Sequence, residues 1–249
     1  MTLVLASRAE GVATLSLNRP DRGNALGPEL VEALEEAFDR AVGHGARLVV
    51  LRGEGRHFCT GFDLTDLEAL SDGDLLLRAV RIEQLLQRIH AAPVTTLAVA
   101  TGRTFGAGAD LFAACDRRVA TPGASFAFPG PAFGLVFGTA RLAAMVGRDR
   151  AREILLAGRE VTAEAAAMAG LATAVLGEEA IPAEIARAAA AAARLDPETV
   201  AALHRRTGPA AGRAEEDADL AALVRSAARP GLRQRILDYR AQVAARRRG

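Results

Sequence analysis

The sequence predicts an α/β fold, with parallel strand pairings in its first half and a largely helical second half. Three observations point there. Apolar runs of strand length alternate with helical stripes as far as Gly138. Beyond Gly138 the pattern is mostly helical. A chain of 249 residues, 50% hydrophobic and 24% charged, can bury a substantial core as one domain or one domain with an appendage.

Leu3 to Ser7 and Val12 to Leu17 read as strands joined through a turn near Glu10-Gly11, and Asn18-Arg19-Pro20 ends the second. From Pro28 to Val42, the residues Leu30, Val31, Leu34, Ala37, Phe38 and Ala41 form a helical stripe. Leu48-Val49-Val50-Leu51 is a buried-strand run. A second helix, from Asp74 to His90, carries Leu77, Val80, Leu85 and Ile89 on or near one face. Pro93 precedes the strand Val94 to Ala100, and a turn at Gly106 feeds a helix reaching Cys115. Short strands follow at Arg118-Val119-Ala120 and Ser125 to Phe128. Residues Arg206 to Gly212 are the best hinge or loop candidate. Past them, Leu220, Leu223, Val224, Ile236, Leu237, Tyr239 and Val243 suggest helices that pack on the core or on another subunit. The division expected is a core over 1–195 and a helical packing or oligomerisation region over 196–249.

A net charge of +1 argues against a dedicated nucleic-acid binder. No apolar run approaches the ~18 residues needed to cross a bilayer. The chain opens directly on strand-like Leu3-Val4-Leu5, with no basic segment leading into an apolar one, so a cytoplasmic protein without a membrane partner is expected. All 31 basic residues are arginine, which excludes a Schiff-base lysine and a P-loop lysine. Neither G-x-x-x-x-G-K-[ST] nor G-x-G-x-x-G occurs, which disfavours a nucleotide-binding domain. Cys59 and Cys115 lie in apolar surroundings and read as buried free thiols. The four histidines show no metal-ligand spacing, so no metal is expected. Arg246-Arg247-Arg248 reads as a solvated helix end rather than a basic tail.

Two glycine-bearing turns, Cys59-Thr60-Gly61-Phe62-Asp63-Leu64 and Gly106-Ala107-Gly108-Ala109-Asp110, each follow a strand-like run. Their main-chain N–H groups can converge on one carbonyl oxygen, which is what a carbonyl becoming an enolate requires. Taken singly, each turn also fits a plain strand-to-helix joint, where glycine is common.

Four segments in order resemble the crotonase superfamily, which includes enoyl-CoA hydratases and isomerases. They are Leu17-Asn18-Arg19-Pro20 continuing to Asn24-Ala25-Leu26; Gly53 to Leu64; Ala98 to Asp116; and Ala157-Gly158-Arg159 through Ala169-Gly170-Leu171. The resemblance spans residues 2–177 well and the remainder loosely. It implies a spiral of ββα units followed by C-terminal helices, assembled as a homotrimer or homohexamer. It also implies an acyl-CoA substrate, coenzyme A being part of the thioester, and no tightly bound cofactor. The oxyanion donors would be the N–H of Phe62, after Gly61, and the N–H of Ala107. Coenzyme A would run beside Asn24-Ala25-Leu26, with its adenine held partly by backbone near Gly61. Arg19 or Arg22 would meet phosphate in place of the lysines often seen there, or be simply solvated. Tyr239 falls loosely where the family places an aromatic near the cofactor; a packing role fits it as well.

The departures concern proton transfer. Hydratases of this family use two glutamates facing a water. The first aligns with Asp110, one methylene shorter and near a helix N-terminus, a setting expected to keep it ionised as a base. The same position suits a first-turn residue that merely complements the helix dipole. The second falls at Gly130, and no Asp or Glu occurs between Asp116 and Asp149. The loop Gly134 to Thr139 is also shorter than the family's usual glycine-rich loop. Phe126, Phe128, Phe133 and Phe137 cluster there, to line a dry acyl pocket or to fill core. His57 is either an acid/base group or a strand-end histidine, and Asp63 and Asp66 are expected to cap the segment after them. One carboxylate suits double-bond isomerisation better than water addition, since a single base can remove a proton and return it elsewhere. Decarboxylation needs only the enolate hole. The rival from another class is a non-catalytic acyl-CoA-binding or accessory protein that keeps the fold.

Overall fold

The first hairpin forms where the sequence places it. Strand β1 (Val4–Ala9) pairs antiparallel with β2 (Val12–Leu17), and Glu10 and Gly11 take positive φ in the turn between them. The computed structural model describes residues 2–207 and 213–246. Residues 208–212 of the hinge candidate, and Arg247 and Arg248, therefore lie outside the described residues. Arg206 and Thr207 close a helix.

From β2 the chain winds as alternating strands and helices: α1 (Pro28–Gly43), β3 (Leu48–Gly53), α2 (Asp72–His90), β4 (Thr95–Ala100), β5 (Arg103–Phe105), α3 (Ala107–Ala113), β6 (Arg117–Ala120) and β7 (Ser125–Ala127). Then come α4 (Thr139–Val146), α5 (Arg148–Ala157), β8 (Val161–Thr162), α6 (Ala163–Ala169), β9 (Ala174–Val175) and four longer helices. These are α7 (Ile181–Ala192), α8 (Pro197–Thr207), α9 (Arg213–Ala227) and α10 (Leu232–Arg246). One sheet has the order β1-β2-β3-β4-β6-β9, parallel apart from the opening hairpin; a second has the order β5-β7-β8.

The central strands β3 and β4 of the large sheet are buried on both faces, which is why they read as continuous apolar runs. Val49, Leu51, Ala98, Ala100 and Ala120 join the main core with α1, α2 and α3. Their neighbours Leu48, Val50, Leu97, Val99 and Val119 face the opposite way, against Ile181, Ala188 and Ala192 of α7. A third cluster joins the C-terminal helices to the rest: Leu223, Ala227, Leu232 and Ile236 pack on Leu67, Leu75, Ala79 and Leu135. Helix α2 starts with a capping box, Ser71 and Asp74 bonding reciprocally to each other's backbone N–H groups. Asp63 stabilises a local turn, accepting from the Thr65 N–H at 2.9 Å, but no helix starts there. Asp66 does not cap either: it adopts a left-handed conformation and makes no side-chain cap.

Helix α8 is fastened by a histidine. His204 Nε2 lies 3.0 Å from Asp116 Oδ1, and its Nδ1 lies 2.8 Å from the Ala92 carbonyl. Both partners are acceptors, so both ring nitrogens hold protons only in the imidazolium. The Asp116 hydrogen bond accordingly raises the His204 pKa above its ordinary value. The clip's stabilisation is full below the unfolded-state pKa of about 6.5 and disappears as pH rises through the raised folded-state value. A His204→Gln protein is therefore expected to melt below wild type at mildly acidic pH, by an amount matching about 1–2 kcal/mol, with the gap closing at alkaline pH. Thermal melts across pH measure this; a gap that does not change with pH would show that the ring acts by packing alone.

Candidate active site

Backbone register brings the two glycine turns together. An isolated parallel bridge joins Cys59 to Thr104, and Phe105 N–H donates to the Cys59 carbonyl at 3.0 Å. Continuing that register sets Gly61 beside Gly106 and Phe62 beside Ala107. The spacing agrees: a Cβ built on Gly61 would lie 2.5 Å from the Phe105 carbonyl oxygen and 3.3 Å from the Ala107 nitrogen. Gly61 has φ of +95°, so this close approach and this conformation both require glycine. Gly108, in the first turn of α3, lies so close to the Cys59 backbone that a methyl group there would overlap it.

The amide directions follow from peptide planarity. The Gly61 carbonyl accepts from Leu26 N–H at 2.7 Å, so the Phe62 N–H, antiparallel to it across a trans peptide, points away from Leu26. The Gly106 carbonyl accepts from Ala109 and Asp110, which turns the Ala107 N–H out of the helix start. Among the described residues, neither amide donates to another group.

The Leu26 side is held by a residue whose part was not read from sequence. Asn24 is fully buried in a left-handed conformation (φ +54°), one that Asn tolerates. Its Oδ1 accepts from Arg19 N–H at 2.8 Å, and its Nδ2 donates to the carbonyls of Glu54 (3.0 Å) and His57 (2.8 Å). Thr60 adds a bond from its hydroxyl to the Gly23 carbonyl. Together these fix the 19–26 segment against the strand that delivers Phe62.

Of the arginines singled out, Arg19 is committed within the protein. Its Nη1 donates to Asp63 Oδ2 at 2.8 Å and to the Ala25 carbonyl at 3.3 Å. Arg22 is exposed, with Asp21 at 3.9 Å. Ala25 and Leu26 are buried, and Leu26 borders a cleft of about 150 Å³ between the start of α1 and α2, rimmed by Arg78 and Arg81. His57 Nδ1 accepts from Arg103 N–H at 3.1 Å, and desolvation together with Arg103 and Arg56 lowers its pKa; it is a structural, neutral ring. Tyr239 packs on Phe133, ring centroids 5.4 Å apart. Phe126 and Phe128 are core, whereas Phe133 and Phe137 are half-buried beside Phe62, under the C-terminal helices. Both thiols are free and buried, and burial pushes each up to about 12.

Asp110 stands one helical turn into α3, only 4% exposed. The expectation that it stays readily ionised needs correction: burial raises its pKa well above the ordinary carboxylate value. Arg141 opposes that rise, and the charges of Glu83 and Asp219 add to it. No carboxylate stands at Gly130, which begins a short 3-10 turn ending at Phe133. The other acidic groups near Asp110 come instead from α2 and α9, far along the chain from the stretch between Asp116 and Asp149. Glu83 had a legible signal, being a charge inside the stripe Ala79, Ile82, Glu83, Leu86 at helical spacing.

Comparison with known proteins places the chain in a family. The family model for enoyl-CoA hydratase/isomerase matches residues 7–222. The chain belongs to the enoyl-CoA hydratase/isomerase family. It is 38% identical over 173 residues to a probable enoyl-CoA hydratase of Mycobacterium tuberculosis, covering 68% of this chain and 69% of that one. Among solved structures, it matches a Bordetella parapertussis protein named for the same family with a TM-score of 0.93 and 48% identity, over 97% of this chain and 99% of that one. An enoyl-CoA hydratase/isomerase from Xanthobacter autotrophicus gives a TM-score of 0.79 at 30% identity, with 96% and 98% covered. The fold is thus the crotonase fold, a mixed α/β core with a helical C-terminal region. Among the described residues, no helix is long and apolar enough to cross a membrane.

Proposed function

We propose that this family member binds an acyl-CoA thioester, holds its carbonyl oxygen with the Phe62 and Ala107 amides, and shifts a double bond with Asp110 as the proton carrier. The carrying observation is the pair of amides, set side by side by backbone register and, among the described residues, engaged by no other group. Each such donor contributes roughly 3–4 kcal/mol to an enolate-like transition state. With Gly130 in place of a second acid, water has no partner to activate it on the far side. A single carboxyl group moving a proton between two carbons suffices for isomerisation. Half-buried Phe62, Phe133 and Phe137 supply an apolar wall for the acyl chain. The Arg78 and Arg81 guanidinium groups at the Leu26 cleft suit the phosphates of coenzyme A better than Arg19, which Asp63 already holds.

The deciding experiment offers 3-enoyl- and 2-enoyl-CoA of several chain lengths and follows the conjugated enoyl thioester alongside the 3-hydroxyacyl product. Isomerisation is expected to outrun hydration. Faster formation of the hydroxyacyl product would overturn the assignment. The missing carboxylate at Gly130 also favours a second reading, a binding protein that keeps the thioester site without chemistry; thioesters that bind and are never converted would establish it.

A further inference from the structure

Asp110 shares its surroundings with a buried ion pair that joins α2 to α4. Arg141, on α4, is 8% exposed, and its Nη2 donates to Glu83 Oε1 of α2 at 2.7 Å; Glu83 is 1% exposed. The other terminal nitrogen, Nη1, is buried with no hydrogen-bond partner among the described residues. Gly138, at the start of α4, shows where that nitrogen lies. A Cβ added there would overlap Asp110 Oδ1 and sit 3.3 Å from Arg141 Nη1. The carboxylate and the unused donor thus both approach Gly138, whose lack of a side chain admits Asp110 Oδ1 and whose φ of +58° no side chain adopts readily.

We propose that Arg141 is the positioning residue for Asp110: Glu83 fixes it through Nη2, and its Nη1 receives the negative charge that Asp110 carries whenever it is ready to accept a proton. The proposal rests on Asp110 being the proton carrier. In the forward step a C–H bond of the acyl chain breaks and its electron pair passes into the thioester enolate. An O–H bond then forms on Asp110, and return of that proton to a different carbon completes the shift. Burial alone would keep Asp110 neutral and unable to begin. A cation held just beyond salt-bridge contact keeps the ionised form accessible, while Glu83 limits how strongly it does so.

Every element packed around Asp110 bears on this balance. Helix α2 brings Glu83 and His90, α4 brings Arg141, and α9 brings Asp219, which accepts from the Ala140 N–H at 3.3 Å. Strand β5 brings only Arg103, which is exposed and lies over Phe105. Asp219 and Glu83 raise the proton affinity of Asp110, and among the described residues the opposing charge is that of Arg141.

The two ends of the ion pair therefore have opposite effects, which a merely structural role would not produce. In Arg141→Met the rising limb of the pH–rate profile should move to higher pH, by about tenfold or more in proton affinity, with activity recovering as pH is raised. In Glu83→Gln, which keeps the shape and frees Arg141, the limb should move to lower pH. Arg141→Lys should fall between Arg141→Met and wild type. Limbs that stay in place, or that move the same way in both variants, overturn the proposal. The same shifts can be read without turnover, as the pH at which the protonated-carboxyl infrared band, assigned by its loss in Asp110→Asn, disappears. If Asp110→Asn still turns over thioesters, the functional reading of Asp110 fails, and the infrared titration alone decides the coupling to Arg141.

Discussion

Asp110→Asn is expected to lose turnover by about 10²–10⁴-fold, keep its thioester affinity within a few fold, and melt at a higher temperature than wild type. The loss follows from chemistry, since an amide neither takes nor returns a proton. Retained affinity follows from the site's construction, in which the amides of Phe62 and Ala107 belong to the backbone and do not depend on the Asp110 side chain. The gain in stability follows from linkage. Burial raises the folded-state pKa of Asp110, so at pH below the ordinary carboxylate value, about 4, both folded and unfolded chains hold the proton and the group is neutral to stability. Above that pH the unfolded chain ionises first, and stability falls until the pH passes the folded-state value. Asparagine never ionises, so the difference in melting temperature should open near pH 4 and widen toward neutrality. Thermal melts over a pH series, with saturation binding of a CoA thioester, measure all three quantities. A variant that loses binding together with turnover would mark Asp110 as a strut for the site and not its proton carrier.

Much of this site is legible before folding because it is made of backbone. Gly61 is forced by close approach and positive φ, Gly106 by positive φ and Gly108 by close approach, and such positions stand out in a sequence. The long elements were equally plain: α1, α2, β3 and β4 carry enough residues to show a period, and their predicted limits differ from the observed ones by only a residue or two at most ends. Strands β5, β8 and β9 were invisible, since two or three residues show no alternation and their pairing depends on partners far along the chain. The charge states were misread for a related reason. Helix position suggested an ionised Asp110, but burial by α2, α4 and α9 is a property of the assembled fold and decides the outcome. Arg19 likewise resembled a ligand for phosphate until Asp63, 44 residues away, took it up.

Gly61→Ala should disable the site more cleanly than any side-chain deletion. The added methyl would sit 2.5 Å from the Phe105 carbonyl oxygen, a backbone atom fixed by its neighbours. Relief requires the 59–62 segment to move off the 104–107 segment, and that displaces the Phe62 amide from its place beside Ala107. Loss of one well-aligned donor costs about 10²–10³ in turnover, or roughly 2.7–4 kcal/mol of transition-state stabilisation. The substitution also pays for a positive φ, a cost of order 1–3 kcal/mol that has nothing to do with the site. Gly45→Ala separates the two, since Gly45 has φ of +78° with no atom within 4 Å of an added Cβ. It should lower the melting temperature and leave kcat unchanged, whereas Gly61→Ala should lower both and weaken binding of an enolate-mimicking thioester more than that of its ground-state analogue. Equal kinetics in the two variants would mean that the thioester oxygen is held elsewhere, because the conformational cost is common to both and only Gly61 separates the paired amides.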